Sequence, residues 1–206
     1  MLLKVCGMTR QRDADRAAQA GADMCGFIFA PRSPRYLSPE GAAMIRTGSM
    51  LRVGVFTGQN AVEIRRAADA ARMDFIQLHG AQSTSCARAL GAERIIRVIW
   101  PERYTSATDF QRDLDELAAS CAFFLVDAGI SGGGSGRACM ADVLRRAVFP
   151  RPWLLAGGVS PDNAAGLLQA CAPARPAGLD CNSALEDRPG CKNADKLRAL
   201  ATLKLL

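Results

Sequence analysis

The sequence has few aromatic residues, one histidine and no long apolar run. Aromatic residues make up 6% of the 206 residues, and His79 is the single histidine. No stretch approaches the roughly 20 consecutive apolar residues that cross a bilayer, which argues against a membrane partner. The N-terminus has no apolar signal-peptide core, because Lys4, Arg10 and Arg12 interrupt it. We therefore expect a cytoplasmic protein.

Cysteine is abundant, but its spacing does not match a metal site. The cysteines lie at positions 6, 25, 86, 121, 139, 171, 181 and 191, and none forms a C-x-x-C pair. With one histidine in the chain, zinc-finger spacing is absent, and we expect no metal. The even count would allow disulfides. A chain of this length without an export signal instead favours reduced thiols.

The charge is basic without being clustered. The net charge is +6 and the pI is about 9.1, so nucleic-acid binding has to be considered. The arginines are scattered, however, and aromatic residues that would interleave with them are few. We expect no nucleic-acid partner, and the positive excess also suits a small anionic substrate.

Short apolar runs alternate with helix-forming segments along the chain. The predicted strands are 2–5, 24–29, 51–56, 74–78, 94–99, 122–126, 153–156 and 178–181. The predicted helices are 11–20, one starting at 39, 61–71, 83–90, 108–120, 140–148, 160–171 and 193–205. Continuous apolar strands between helices indicate a parallel sheet covered by helices. The pattern predicts an α/β protein, a (β/α)8 barrel forming one catalytic domain over 1–206, with a doubly wound open sheet as the alternative.

The first predicted strand ends in a cysteine. Within Leu2–Val5 only Lys4 is polar, and Cys6 is followed directly by Gly7. Thr9 is predicted to cap the next helix. A thiol in this place lies at the rim of the sheet, and a nearby helix N-terminus favours its thiolate. The alternative is a buried structural cysteine.

Polar residues and glycines follow several other predicted strands. In a barrel the carboxyl ends of the strands meet at one rim, so these residues are candidate site residues. They are Cys6, Arg35, His79, Asp127, Gly157, Gly158, Asp180, Asn182 and Ser183. Each also has a structural interpretation, for example a core histidine at His79 or an Asx turn at Asp127.

Two glycine-rich features favour a phosphate site. The run GGGSGR at 132–137 would let backbone N–H groups approach an anion, although it does not match the P-loop pattern. A flexible loop is the alternative for this run. Gly157-Gly158 and Asn182-Ser183 follow the last two strands, where barrels often bind phosphate.

Several segments, in order, match one known family. They are KVCGMT, GFIFAPRSPRYLSP, VGVF, IQLHG, LVDAG with GGGSGR, LAGGVSPDN and LDCNSALEDRPGCKN, and they extend from Lys4 to Asn193. The chain resembles the phosphoribosylanthranilate isomerases of tryptophan biosynthesis. This resemblance implies a (β/α)8 barrel without a cofactor, a monomer or homodimer with a small phosphosugar substrate. It also implies the Amadori rearrangement of N-(5-phosphoribosyl)anthranilate to 1-(2-carboxyphenylamino)-1-deoxyribulose 5-phosphate.

The resemblance also implies the roles of individual residues. Cys6 and Asp127 match the catalytic cysteine and aspartate, Arg35 the residue that meets the substrate carboxylate, and Asp180 the one that faces the ribose. The remaining substrate-binding positions are His79, Gly133, Gly134, Gly157, Gly158, Asn182 and Ser183. An Amadori rearrangement needs an acid for the ring oxygen and a base for the C2 proton, which suits Asp127 and Cys6. We expect the helix after Gly7 to lower the pKa of Cys6.

Two positions depart from the family pattern. Arg137 stands where a lysine is common, and Ala184 stands where a glycine is common. Because alanine tolerates positive φ less well than glycine, weaker phosphate binding or a reshaped loop is expected. A related aminoimidazole-ribotide isomerase is one rival, disfavoured because that family uses two aspartates where this chain has Cys6. A barrel that binds phosphate without catalysis is another.

Overall fold

Eight parallel strands close into a barrel in the residues that the structure, a computed structural model, describes, which are 1–127 and 143–205. Each strand pairs with the next along the chain, and β8 pairs with β1. The strands are β1 Leu2–Val5, β2 Met24–Ile28, β3 Leu51–Phe56, β4 Phe75–Leu78, β5 Ile95–Ile99, β6 Phe123–Asp127, β7 Trp153–Ala156 and β8 Gly178–Cys181. The predicted (β/α)8 barrel is confirmed. The open-sheet alternative is wrong, because β1 and β8 pair directly.

Helices follow the strands and cover the outside of the barrel. They are α1 Gln11–Gln19, α2 Pro39–Met44, α3 Ala61–Ala70, α4 Thr84–Leu90, α5 Ala107–Leu117, α6 Ala164–Cys171 and α7 Ala194–Ala199. Residues 143–146 are also helical, and the start of the predicted 140–148 helix lies outside the described residues. Over the described ranges, no helix combines the length and apolarity needed to cross a membrane.

The apolar residues form two layers because successive side chains of a strand point to opposite faces. The larger layer lies between the strands and the helices and includes Phe27 and Phe124. The smaller layer fills the barrel interior and consists of Met24, Val53, Ile96, Val98, Leu125, Leu154 and Ala156. Each strand is therefore buried on both faces, which explains why the strand sequences are continuous rather than alternating apolar runs.

Several helix boundaries agree with the local sequence signals. Ser38 precedes α2 and accepts a hydrogen bond from the Gly41 N–H at 3.0 Å, with Pro39 as the first helical residue. Asn60 and Glu63 form a reciprocal capping box at the start of α3. Such caps stabilise a helix by about 1 kcal/mol each.

Thr9 does not cap the first helix. The residue before α1 is Arg10, which makes no side-chain capping bond. Thr9 Oγ1 instead donates to the Gly190 carbonyl. Gly190 lies in a hairpin that the sequence did not predict, formed by β9 Glu186–Arg188 and β10 Cys191–Lys192. Because the Thr9 hydroxyl bonds to this distant residue and not to the start of α1, the predicted capping role is wrong.

The last two predicted helices begin or end differently from the prediction. The 160–171 helix starts later, at Ala164, because the Asn163 side chain accepts from the Ser160 N–H and donates to the Gly158 carbonyl, both at 2.9 Å. These bonds hold a turn where the helix was expected to start. The final predicted helix divides into α7 and a 3₁₀ segment over Leu200–Leu205.

Arg52 of β3 ties two helix ends to the barrel. Its guanidinium donates to the carbonyls of Ala42 at 2.6 Å, Ile45 at 2.7 Å and Ala71 at 3.2 Å. Ala42 lies in the last turn of α2, and Ile45 and Ala71 directly follow α2 and α3, where backbone carbonyls lack their usual i+4 helical partner. The guanidinium also lies 4.8 Å from the centroid of the Phe27 ring.

We predict that Arg52→Met lowers the free energy of unfolding by about 2–3 kcal/mol, because charged hydrogen bonds to three carbonyls are lost. The measurement is equilibrium urea denaturation. Arg198→Met is the matched control, since its 78% exposed side chain pairs with the exposed Asp195, and it should change the value by less than about 0.5 kcal/mol. Equal losses in both variants would contradict the assigned role of Arg52.

Candidate active site

A cavity of 530 Å³ opens at the carboxyl ends of the strands. Its lining comes from seven of the eight strands or the loops that follow them, so residues far apart in sequence meet there. The lining residues are Cys6, Ile28, Ala30, Ser33, Val55, Thr57, Gln77, His79, Leu125, Asp127, Ala156, Gly157, Gly158, Asp180, Asn182 and Ser183. This is the rim where active sites of such barrels are found.

Most of the predicted site residues line this cavity. Those that do are Cys6, His79, Asp127, Gly157, Gly158, Asp180, Asn182 and Ser183. Arg35 does not line the cavity wall. Gly133 and Gly134, with the rest of the 132–137 run including Arg137, lie outside the described residues.

Cys6 occupies a crowded position directly after β1. It is 4% exposed, and its N–H donates to the Cys181 carbonyl at 2.9 Å. Gly26 on β2 makes room for its side chain, because a Cβ at Gly26 would lie 2.7 Å from the Cys6 sulfur. Gly7 has a φ of +74°, which turns the chain away after the thiol.

A buried ion pair lies beneath Cys6. Lys4 is 0% exposed and its ammonium lies 2.8 Å from the Asp180 carboxylate. The two residues are register partners across β1 and β8. Burial would lower the pKa of Lys4, but Asp180 and Cys6 together hold it above its ordinary value. Lys4 is therefore charged at neutral pH.

The expected lowering of the Cys6 pKa is not found. Burial raises the pKa of the thiol, and the positive charges of Lys4 and Lys192 only partly oppose that shift. The first helix does not begin until Gln11, several residues beyond the thiol. The dipole effect falls off within the first turn of a helix, so it does not reach Cys6.

His79 links two other residues of the cavity. Its Nε2 lies 3.6 Å from the Asp127 carboxylate, and its Nδ1 lies 3.1 Å from the Gln77 amide nitrogen. Burial lowers the pKa of His79, and the Asp127 charge opposes that shift. The imidazole is therefore neutral at pH 7. Because the Gln77 amide donates to Nδ1, the imidazole proton is on Nε2 and faces Asp127.

The loops after β7 and β8 provide backbone suited to an anion. Gly157 and Gly158 have φ values of +95° and +71°, a conformation that glycine adopts without strain. Ala184 lies in the 3₁₀ turn Ser183–Leu185. In the described ranges, Arg72 is the non-glycine residue with positive φ. The φ of Ala184 is therefore not in the region that requires glycine. The loop is compatible with alanine at this position.

Arg35 is held beside the cavity by a carboxylate of the β9–β10 hairpin. Its Nε and Nη2 donate to Glu186 at 3.0 and 2.6 Å. Glu186 also accepts from the Lys192 ammonium at 3.0 Å and the Gly190 N–H at 3.1 Å. Lys192 in turn donates to the Asn182 amide oxygen at 2.9 Å. The hairpin thus connects Arg35 to the cavity wall.

Five residues of this site were not predicted from the sequence. Lys4 carried a signal, since it is the single polar residue of an apolar strand. Gln77 and Gly26 are strand-interior residues that become site residues through tertiary packing. Glu186 and Lys192 belong to the hairpin that no local pattern predicted. Among the described residues, no three His, Cys, Asp or Glu side chains gather in a way that could hold a metal ion.

Comparisons with known proteins agree on one family. Residues 3–202 match the family model described as N-(5'phosphoribosyl)anthranilate (PRA) isomerase. An N-(5'-phosphoribosyl)anthranilate isomerase from Desulfovibrio desulfuricans is 54% identical over 97% of this chain and 93% of its own length. The crystal structure of the phosphoribosyl anthranilate isomerase from Thermus thermophilus is 32% identical, with a TM-score of 0.77 over 100% of both chains.

A second solved structure carries a bound ligand. It is a phosphoribosyl anthranilate isomerase in complex with reduced 1-(o-carboxyphenylamino)-1-deoxyribulose 5-phosphate. It is 29% identical, with a TM-score of 0.79 over 100% of both chains.

We predict that the imidazole of His79 titrates below the ordinary histidine value, because burial disfavours its charged form. Since the chain has one histidine, its NMR resonances need no assignment by mutation. Asp127→Asn should move the midpoint lower still, because it removes the carboxylate that favours the imidazolium. Asp195→Asn, whose side chain is 83% exposed in another part of the surface, should leave it unchanged. A midpoint that rises in Asp127→Asn would contradict the described contact.

Proposed function

The chain belongs to the N-(5'-phosphoribosyl)anthranilate isomerase family, and we propose that its reaction takes place in the cavity at the carboxyl ends of the strands. The enzyme rearranges N-(5-phosphoribosyl)anthranilate to 1-(2-carboxyphenylamino)-1-deoxyribulose 5-phosphate in tryptophan biosynthesis. The observation that carries the proposal is that Cys6 and Asp127 line one cavity from well-separated strands, β1 and β6. A substrate bound between them can receive a proton from the acid and give one to the base without moving.

In the first step we assign Asp127 as the general acid. Its carboxyl group protonates the furanose ring oxygen while the nitrogen lone pair forms a C1=N bond, and the C1–O bond breaks. Asp127 is suited to this role because it ends β6 at the cavity and is 25% exposed to it. The neutral His79 lies beside this carboxylate, with its Nε2 3.6 Å away.

In the second step we assign Cys6 as the general base. Its thiolate removes the C2 proton of the open-chain iminium, the electron pair forms the C1=C2 bond, and the π pair of the C1=N bond returns to nitrogen. The resulting enolamine then tautomerises: C1 gains a proton as the C2 hydroxyl releases its own to solvent and becomes the ketone. A buried thiolate is a stronger base than an exposed one, because burial raises the pKa of Cys6.

The two ends of the substrate are proposed to bind at different loops. The phosphate binds the backbone after β7 and β8, at Gly157, Gly158 and Ser183, where N–H groups can face an anion. Fixing the phosphate holds C1 and C2 in register with the acid and base. The apolar lining, formed by Ile28, Val55, Leu125 and others, suits the aromatic ring.

Arg35 is proposed to bind the anthranilate carboxylate with the free side of its guanidinium. Nε and Nη2 donate to Glu186, and Nη1 has no hydrogen-bond partner in the described part of the chain. The Glu186 pair thus orients the guanidinium and leaves one edge available. A guanidinium fork can serve two carboxylates in this way.

We also propose that residues 1–206 act as one catalytic domain in the cytoplasm. The first and last strands of the barrel pair with each other, so catalysis at Cys6 requires both ends of the chain. Cys25, Cys121 and the other described cysteines are unpaired thiols, as is usual in a reducing compartment.

We predict that Cys6→Ser and Asp127→Asn each lower kcat by roughly a hundredfold or more, since each removes a proton-transfer group. The measurement is the decay of substrate fluorescence. Asp127→Asn retains Cys6, so its residual activity should increase with pH until Cys6 is deprotonated, at a pKa that burial raises.

Cys86→Ser is the matched control for Cys6→Ser, because Cys86 is a free thiol that does not line this cavity. It should turn over substrate like the wild type. Circular dichroism and thermal denaturation confirm that each variant is folded. Wild-type turnover by Cys6→Ser would refute the proposed base, and wild-type turnover by Asp127→Asn would refute the proposed acid.

We predict that Arg35→Ala raises KM by roughly tenfold or more with a smaller change in kcat, because a charge-assisted bond to the substrate is lost. Steady-state kinetics measures both constants. Arg32→Ala is the matched control, since Arg32 is an exposed arginine of the same loop, and its KM should stay unchanged. If Arg35→Ala lowers the melting temperature but leaves KM unchanged, Arg35 is a structural partner of Glu186 and does not bind substrate.

A further inference from the structure

Lys4 is a buried cation that the proposed reaction does not use. It is 0% exposed in the interior of the barrel, and its ammonium pairs with Asp180 at 2.8 Å. Removing two charges from water is costly, and apolar residues of similar volume often stabilise a fold equally well. Stability alone therefore does not account for a lysine at this position.

The position of Lys4 relative to Cys6 suggests a different role. Lys4 lies in β1 and Cys6 is two residues later, where the Cys6 N–H continues the pairing with β8 by donating to the Cys181 carbonyl at 2.9 Å. The two side chains therefore point to the same face of the sheet, the one that faces the cavity. Asp180, the register partner of Lys4 on β8, lines the same cavity as Cys6. The thiol, the ammonium and the carboxylate thus form one compact group.

We propose that Lys4 is a positioning residue that stabilises the Cys6 thiolate, and that Asp180 holds the ammonium in place while limiting its effect on the thiol. This inference rests on the proposed role of Cys6 as the base. It adds a residue to the site that acts through Cys6 rather than on the substrate.

The charges around Cys6 support this arrangement. Lys4 on β1 and Lys192 on β10 lower the pKa of the thiol that burial has raised, and Asp180 on β8 raises it further. Cys25 on β2 and Arg35 in the following loop also interact with the thiol. Of these charges, the ammonium of Lys4 has the largest effect on Cys6. Without the Lys4 ammonium, the buried Cys6 thiolate would lack its main compensating charge.

This arrangement predicts opposite effects for the two members of the ion pair. Removing the Lys4 charge should make the Cys6 thiolate less stable. Removing the Asp180 charge should make the thiolate more stable, because the ammonium is then no longer shared with a carboxylate. A purely structural ion pair would not give shifts of opposite sign, since losing either partner damages the fold in the same way.

The experiment is an ultraviolet titration of the thiolate in the ligand-free enzyme. Each curve is measured as the difference from the same protein carrying Cys6→Ser, so that only Cys6 contributes. In Lys4→Met the midpoint should move up by about one pH unit or more, and in Asp180→Asn it should move down. Lys204→Met is the matched control, because Lys204 pairs with Asp23 near the N-terminus and should leave the midpoint unchanged.

A charge-neutral double variant covers the case in which Lys4→Met does not fold. Lys4→Met with Asp180→Asn leaves no unpaired buried charge. Compared with Asp180→Asn alone, its midpoint should be higher, which isolates the effect of the ammonium. An unchanged midpoint in this comparison, or in Lys4→Met itself, would overturn the inference.

Steady-state kinetics of Lys4→Met tests whether the effect of Lys4 on the thiolate matters for catalysis. At neutral pH the kcat/KM of Lys4→Met should fall about tenfold or more, in line with its smaller thiolate fraction, and the deficit should close as the pH rises. A deficit independent of pH would contradict the proposed role.

The role of Cys6 as the base and the role of Lys4 as its positioning residue can be refuted separately. If Cys6→Ser stays active, Cys6 is not the base, whereas the titration still reports the effect of Lys4 on the thiol.

Discussion

The ion pair between Lys4 and Asp180 lies where the barrel closes. β1 and β8 come from opposite ends of the chain, and their register aligns these two residues. The strands approach closely at Gly178, where a Cβ would lie 2.3 Å from the Leu2 carbonyl oxygen. Losing one member of a buried pair typically costs about 3–5 kcal/mol, because the other charge remains unpaired. The same contact therefore joins the first and last strands and places charges beneath the reactive thiol.

The geometry of the thiol depends on this closure and on the absence of side chains around it. Cys6 follows directly from the paired part of β1, and Gly26 on β2 leaves the space that its sulfur occupies. A Cβ at Gly7 would lie 2.6 Å from the Asn182 amide oxygen. Two glycines thus permit the strand-end residue to sit between the neighbouring strands. The crowding keeps water away from the thiol, which is why its pKa rises instead of falling.

The β9–β10 hairpin connects this site to the rest of the fold. Lys192 is 2% exposed and contacts Glu186 and Asn182 through its ammonium, while its backbone N–H donates to Asp13 at 3.1 Å. Asp13 lies in α1, the helix that follows the reactive cysteine. The β9–β10 hairpin therefore orients Arg35 through Glu186 and supports Asn182, in the loop after β8, through Lys192. Positioning of this kind matters because small displacements of binding groups are costly in catalysis.

The sequence alone determined the parallel sheet covered by helices and the rim of the site, whereas the closure of that sheet into a barrel was decided by the pairing of β1 with β8. Continuous apolar strands alternating with helices specify a parallel sheet, and residues that follow such strands meet at one end, so Cys6, His79 and Asp127 were predictable. Other features depend on contacts between distant segments and were decided only by the tertiary structure. Thr9 bonds to Gly190 rather than capping α1, and Lys4 finds its partner on β8. Local patterns report what a residue's neighbours in sequence favour, whereas buried hydrogen bonds and charges are satisfied by whichever partner the folded chain brings near.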